Sequence, residues 1–109
     1  MTSPNSDFNT QLALAEAGNA TAQYEVAMCL LTGDGVDQDE RAAIKWLKQS
    51  AEQGYADAQC ELGLSYKHGT GVKQNYDTAL QWYLKAANQN HREAQYSLGV
   101  NYERGYGTE

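Results

Sequence analysis

The sequence predicts an all-α fold, a stacked array of about six helices, on three observations. Residues 18 to 53 laid on residues 54 to 89 are identical at 13 of 36 positions, so the chain repeats itself at a spacing of 36. Inside each copy, small and apolar residues recur at i and i+4, the spacing of one face of an α-helix. Glycines interrupt those stripes at matching places, Gly33 and Gly35 in one copy and Gly69 and Gly71 in the next. A supersecondary unit of this length buries its apolar face only against its neighbours, so the units are expected to stack.

The elements follow in order. Ala15 and Gly18 precede Ala20 as Ala51 and Gly54 precede Ala56, so the N-terminal segment reads as half a unit. It forms a capping helix over about residues 5–17, started near Ser3-Pro4 or Ser6. The first copy supplies helices near 20–32 and 39–53. In the second copy Ala58, Leu62 and Tyr66, with Gln59 and Gly63, make one helical face over 56–68. Gly69-Thr70-Gly71 ends it, since glycine accepts left-handed backbone. Asn75 then offers an N-cap to a helix over 75–89 that carries Ala79, Trp82, Tyr83, Ala86 and Ala87. Asn90, a left-handed cap, stands where the previous copy has Gly54. Ala94, Gln95, Leu98, Gly99, Tyr102, Gly105 and Gly107 continue the series, giving a sixth helix near 92–104.

The chain therefore reads as one domain over 1–109: a cap at 1–19, repeats at 20–55 and 56–91, and a partial repeat at 92–109. Small residues at fixed places (Ala22, Ala58, Ala94, Gly63, Gly99) let helices approach closely. Trp46, Trp82, Tyr66 and Tyr102, with Gly63 and Gly99, are the expected structural core.

The run Ala58-Gln59-x-x-Leu62-Gly63-x-x-Tyr66-x-x-Gly69-x-Gly71-Val72, then Ala79-x-x-Trp82-Tyr83-x-Lys85-Ala86-Ala87, closely resembles the Sel1-like repeat, a relative of the tetratricopeptide repeat. The first copy departs from it with Ala27 for Gly63, Leu30 for Tyr66 and Ser50 for Ala86, which are packing substitutions. The resemblance implies a right-handed α-solenoid whose members act as adaptors and scaffolds for other proteins. Some small bacterial members resemble immunity proteins that block a toxin.

Composition excludes other classes. A hydrophobic share of 41% supports a core. A mean hydropathy of -0.70 and a longest apolar run of six residues, Val26 to Leu31, fall far short of the roughly 20 residues that span a bilayer. The first residues have neither the basic nor the apolar region of a secretion signal, so a cytoplasmic location is the expectation unless a leader has been removed. Charge is uneven: residues 1 to 40 hold seven acids and no Lys or Arg, while the whole chain carries -6. Such an acidic end repels phosphate backbones, disfavouring nucleic acid and favouring a basic protein partner. Cys29 and Cys60 form no CxxC pair and read as small hydrophobes.

Catalysis needs a nucleophile beside a base, a carboxylate pair in a dry pocket, or a metal, and the sequence has no recognisable version of these. His68 and His91 lack metal-ligand spacing, and His91 reads as a turn residue. The Gly-x-Gly triplets follow helices instead of strands, so they are turns and not phosphate loops. No enzyme, cofactor or metal is expected.

Each first helix leaves a polar row: Thr21, Glu25, Cys29, Thr32; Asp57, Glu61, Ser65, His68; Glu93, Ser97, Asn101, Arg104. First helices line the concave side of a solenoid, so the rows would adjoin in one groove. Glu25, Asp57, Glu61, Ser65, His68, Glu93, Ser97 and Asn101 are the expected protein-binding residues. A second row (Tyr24, Met28, Leu31; Cys60, Leu64; Tyr96, Val100) reads as core between the helix layers. Three functions compete: an adaptor binding through the groove, an inhibitor or immunity protein neutralising a basic toxin, and a piece of a longer solenoid. Leu98 and Tyr102 have no following helix in the sequence to cover them, which makes self-association through that face a further expectation.

Overall fold

The computed structural model describes residues 4–106, with side chains from residue 8 onward. Six helices follow one another: α1 (Pro4–Glu16), α2 (Ala20–Thr32), α3 (Glu40–Glu52), α4 (Ala56–His68), α5 (Tyr76–Ala87) and α6 (Arg92–Arg104). No strand occurs among the described residues. Each helix packs chiefly on those before and after it, and the body is elongated, 48 × 24 × 22 Å. The expected start at Ser3 and the turn at Gly107 lie outside the described residues.

Local chemistry sets the helix ends. Asn19, Asp39 and Asn75 are N-caps whose side chains accept from the backbone N–H of Ala22, Ala42 and Thr78. Gly33, Gly69 and Gly105 close α2, α4 and α6 in the left-handed conformation. Asn90 takes φ +65°, the conformation that Gly54 takes at φ +92° one unit earlier.

Two apolar clusters run through the stack. The first joins Ala15, Val26, Leu30, Ile44, Leu47 and Leu62 and receives Trp46 and Trp82. The second is built on Cys60, Ala79, Tyr83, Ala86 and Ala94. Helix α4 contributes to both, and Tyr66 packs against each. Glutamines repeat with the helices. Gln53 Nε2 donates to the Gly18 carbonyl and to Gln23 Oε1, and Gln89 does the same to Gly54 and Gln59. Gln23, Gln59 and Gln95 in turn donate to the carbonyls of Ala15, Ala51 and Ala87.

Of the expected core positions, Gly63 is buried and Trp46, Trp82 and Tyr66 are half-buried against the clusters, while two positions differ. Tyr102 is 53% exposed, and a Cβ on Gly99 would meet nothing within 4 Å. Both lie on α6, whose main packing is on α5 alone, so among the described residues no helix covers the face where their counterparts Tyr66 and Gly63 are covered. The two glycines should respond oppositely to alanine. At Gly63 a Cβ would sit 2.7 Å from the ring of Tyr83, which is fully buried and cannot retreat. Gly63→Ala is expected to cost about 2 kcal/mol through overpacking. Gly99→Ala is expected to add roughly 0.5–1 kcal/mol through helix propensity. Urea unfolding of both variants checks the pair, and a shift in the same direction for both would contradict the packing described.

Candidate functional site

Helices α2, α4 and α6 present one electrostatic surface. Asp57 and Glu61 of α4 join Glu25 in acting on the Tyr24 phenol of α2, which burial and these charges push up to about 12. Glu61 is pushed above the ordinary carboxylate range, first by burial, then by repulsion from Glu93 of α6 and Asp57. The same three acids reinforce burial in pushing the Cys60 thiol up to about 12, which leaves it protonated and inert. Glu61 thus lies in the field of Asp57 and Glu93, and Tyr24 in that of Glu25, Asp57 and Glu61, so acids of three successive first helices act on neighbouring groups.

A cleft of about 370 Å³ opens between α2 and α4. Met28, Leu31 and Leu64 line it, each half-buried, together with Glu61, Glu40 at the start of α3, and Thr70 in the turn after α4. Ser65 and His68 complete the α4 side. Among the described residues no cation pairs with Glu61. Asp57 differs, since its Oδ1 lies 2.6 Å from His91 Nε2. His91 Nδ1 accepts from the Ala94 backbone N–H, which leaves Nε2 to carry the proton donated to Asp57. One imidazole therefore caps α6 and ties it to α4. Among the described residues no group of three or more His, Cys, Asp and Glu is placed to hold a metal ion, and no helix is long and apolar enough to cross a membrane.

The family model for the Sel1 repeat matches residues 20–55, 56–91 and 92–109. The chain belongs to the Sel1 repeat family. Two solved structures resemble this Sel1 repeat protein closely. One is a protective antigen present in uropathogenic Escherichia coli strains and displaying an SLR fold, with 40% identity and a TM-score of 0.89 over 92% of this chain. The other is a Sel1 repeat protein from Oxalobacter formigenes, with 33% identity and a TM-score of 0.88 over 94%. This Sel1 repeat protein spans 21% of the first and 42% of the second. No curated protein matches it. The Sel1 repeat family generally mediates protein–protein interaction.

Of the groove residues expected from sequence in this Sel1 repeat protein, the structure brings Asp57, Glu61 and Glu93 together and sets Glu25 beside Tyr24. Glu61, Ser65 and His68 line the cleft. Two expectations need correction. Asn101 is 0% exposed and offers a ligand nothing, because its position turns into the stack. Ser65 is 4% exposed, and its hydroxyl donates to the Glu61 carbonyl of its own helix, so it shapes the cleft without a free donor. Ser97 is half-buried near Tyr83, whose phenol burial pushes up and whose hydroxyl has no hydrogen-bond partner among the described residues. The second row is divided: Cys60 is core, Met28, Leu31 and Leu64 face the cleft on one side, and Tyr96 is 75% exposed. The cap and tie made by His91 escaped sequence reading. The available signal was that His91 stands, two repeats on, at the N-cap position that Asn19 holds before α2.

The raised Glu61 gives this Sel1 repeat protein a pH signature. A carboxyl raised in the folded state stabilises fully below its ordinary value, about pH 4, and that contribution is lost as pH rises through the higher folded value. Glu61→Gln removes the penalty of the charged form. The variant is expected to be more stable than the parent at pH 7, with the difference shrinking toward pH 4, as urea titrations at the two values would show. A constant difference would mean that Glu61 is not strained by its surroundings.

Proposed function

We propose that this chain is a noncatalytic adaptor of the cytoplasm that binds a basic protein partner through the face built from α2, α4 and α6. The supporting observation is the repulsion of Glu61 by Asp57 and Glu93, with Glu25 acting on the same Tyr24 phenol as Asp57 and Glu61, beside an apolar-lined cleft. A cationic partner relieves that repulsion and gains electrostatic steering. The test is a pull-down with the tagged chain at low and high salt, beside Glu25→Lys/Glu93→Lys, two exposed positions with no packing role. A basic client retained at low salt, stripped by high salt and weakened about tenfold by the double reversal supports the reading. A client indifferent to both moves the interface elsewhere.

A dedicated inhibitor of a basic toxin is the second reading, favoured by the seven acids and absent cations of residues 1 to 40. A toxin gene immediately upstream would support it, and an unrelated operon would count against it. The greater length of both solved relatives favours a third, one stretch of a longer scaffold. Exposed Tyr96 and Tyr102 keep self-association through α6 in play, and a well-folded monomer at tens of micromolar in sedimentation would end that idea.

A further inference from the structure

The repeat gives the cleft a counterpart position between α4 and α6, and the two positions differ. Cleft residues Glu40 and Thr70 correspond, 36 positions on, to Tyr76 and Tyr106. Those two rings stack at 4.6 Å between centroids and 7° between planes, with Lys67 Nζ 5.8 Å from the Tyr106 ring centroid. The partners of Leu64 and Glu61 one repeat on are Val100 and Ser97, so the second position also lacks the carboxylate. We infer that the cleft between α2 and α4 docks a partner segment presenting a Lys or Arg side chain next to an aliphatic one, and that the Tyr76–Tyr106 stack closes its counterpart between α4 and α6.

This rests on the reading of the acidic face as a protein-binding surface and adds the chemistry of what enters it. Met28, Leu31 and Leu64 offer aliphatic contact, while Glu61 lacks a cation and Glu93 and Asp57 repel it. A cation entering the cleft lifts that repulsion and meets carboxylates at Glu61 and Glu40. A second copy of the chain fits poorly as occupant, because each copy carries -6. Volume agrees with scale: about 370 Å³ suits one or two side chains, not a folded domain.

The test is isothermal titration of the full chain with the synthetic peptide acetyl-Leu-Lys-Leu-Lys-Leu-amide, and with its glutamate counterpart as control. The lysine peptide is expected to bind at one site per chain and the glutamate peptide not to bind. Glu40→Tyr/Thr70→Tyr, which copies the closing pair into the open cleft, should weaken binding about tenfold or more, as should Glu61→Gln. Tyr76→Glu/Ser97→Glu/Tyr106→Thr, which opens the counterpart and also supplies its missing carboxylate, should raise the stoichiometry to two. If the tyrosine-bearing variant unfolds, Glu61→Gln decides alone. Absence of binding at millimolar peptide, or parental affinity in Glu61→Gln, overturns the cleft as the docking point. An unchanged stoichiometry in Tyr76→Glu/Ser97→Glu/Tyr106→Thr overturns the closing role of the stack. Either failure, with a client still lost in Glu25→Lys/Glu93→Lys, leaves the binding face standing and only relocates the contact on it.

Discussion

Gly71→Ala should be among the most destabilising single-methyl changes in the protein, lowering the unfolding free energy by about 2–4 kcal/mol. Two costs combine. Gly71 holds φ +72°, where an L side chain is strained. Its Cβ would also stand 2.6 Å from the Glu40 carbonyl oxygen and 2.9 Å from Ile44 Cγ1. The first of these is backbone in the opening turn of α3, which cannot rotate aside as a side chain would. The turn after α4 rests on α3 at this point, so the methyl group would pry one repeat from the one before. A fall in melting temperature of roughly 10–20 °C is expected by circular dichroism. Gly105→Ala is the control: φ is +75°, yet nothing lies within 4 Å, so only the conformational strain remains. Equal losses at the two positions would show that the Glu40 contact contributes nothing.

Trp82→Ala is the second large effect, at about 3 kcal/mol, the lower end of the range for tryptophan because the ring is half-buried. Trp82 belongs to α5 yet packs against the cluster formed by α1 to α4, while the rest of its helix serves the second cluster. Lys85 Nζ lies 4.9 Å from the ring centroid and covers part of it. Removing the indole weakens the junction between clusters more than either interior. In an array held by nearest-neighbour contacts, α5 and α6 should then melt before the remainder. Trp46 survives as a fluorescent reporter in the first cluster, so its transition should trail that seen by circular dichroism. Coincident transitions at the parental midpoint would rule out the bridging role.

The fold was legible because identities between copies mark what every unit needs. Gly33 and Gly69, the paired caps Asp39 and Asn75, and the stripes of α2 and α4 are physical requirements of one hairpin written twice. Helix ends follow to within about two residues: α3 starts one residue after the expected 39, and α5 ends at Ala87 instead of 89. The glutamines were visible as matches, but their role was not, since a polar side chain at a fixed place looks the same whether solvated or bonded across a repeat. The site was harder for the opposite reason. Its character lies in differences between copies: Glu40 against Tyr76, Thr70 against Tyr106, Ser65 against Asn101. Matching by period also assumes equal neighbours on each side of a helix. Tyr102 and Gly99 inherited a buried environment from Tyr66 and Gly63 that α6 does not have.

The glutamine bonds bear on how such a chain can change length. Gln53 reaches Gly18 and Gln23, and Gln89 reaches Gly54 and Gln59, at donor–acceptor distances that agree within about 0.1 Å. The junction between one hairpin and the next is therefore the same joint used twice. Duplication or loss of a 36-residue segment in the gene rejoins matching halves of that joint and leaves each of these glutamines with its partners. A segment of any other length strands a glutamine donor against the wrong helix. Unequal recombination would thus be filtered by hydrogen bonding, so that lineages lengthen and shorten by whole hairpins while each surviving repeat is free to diversify its exposed face.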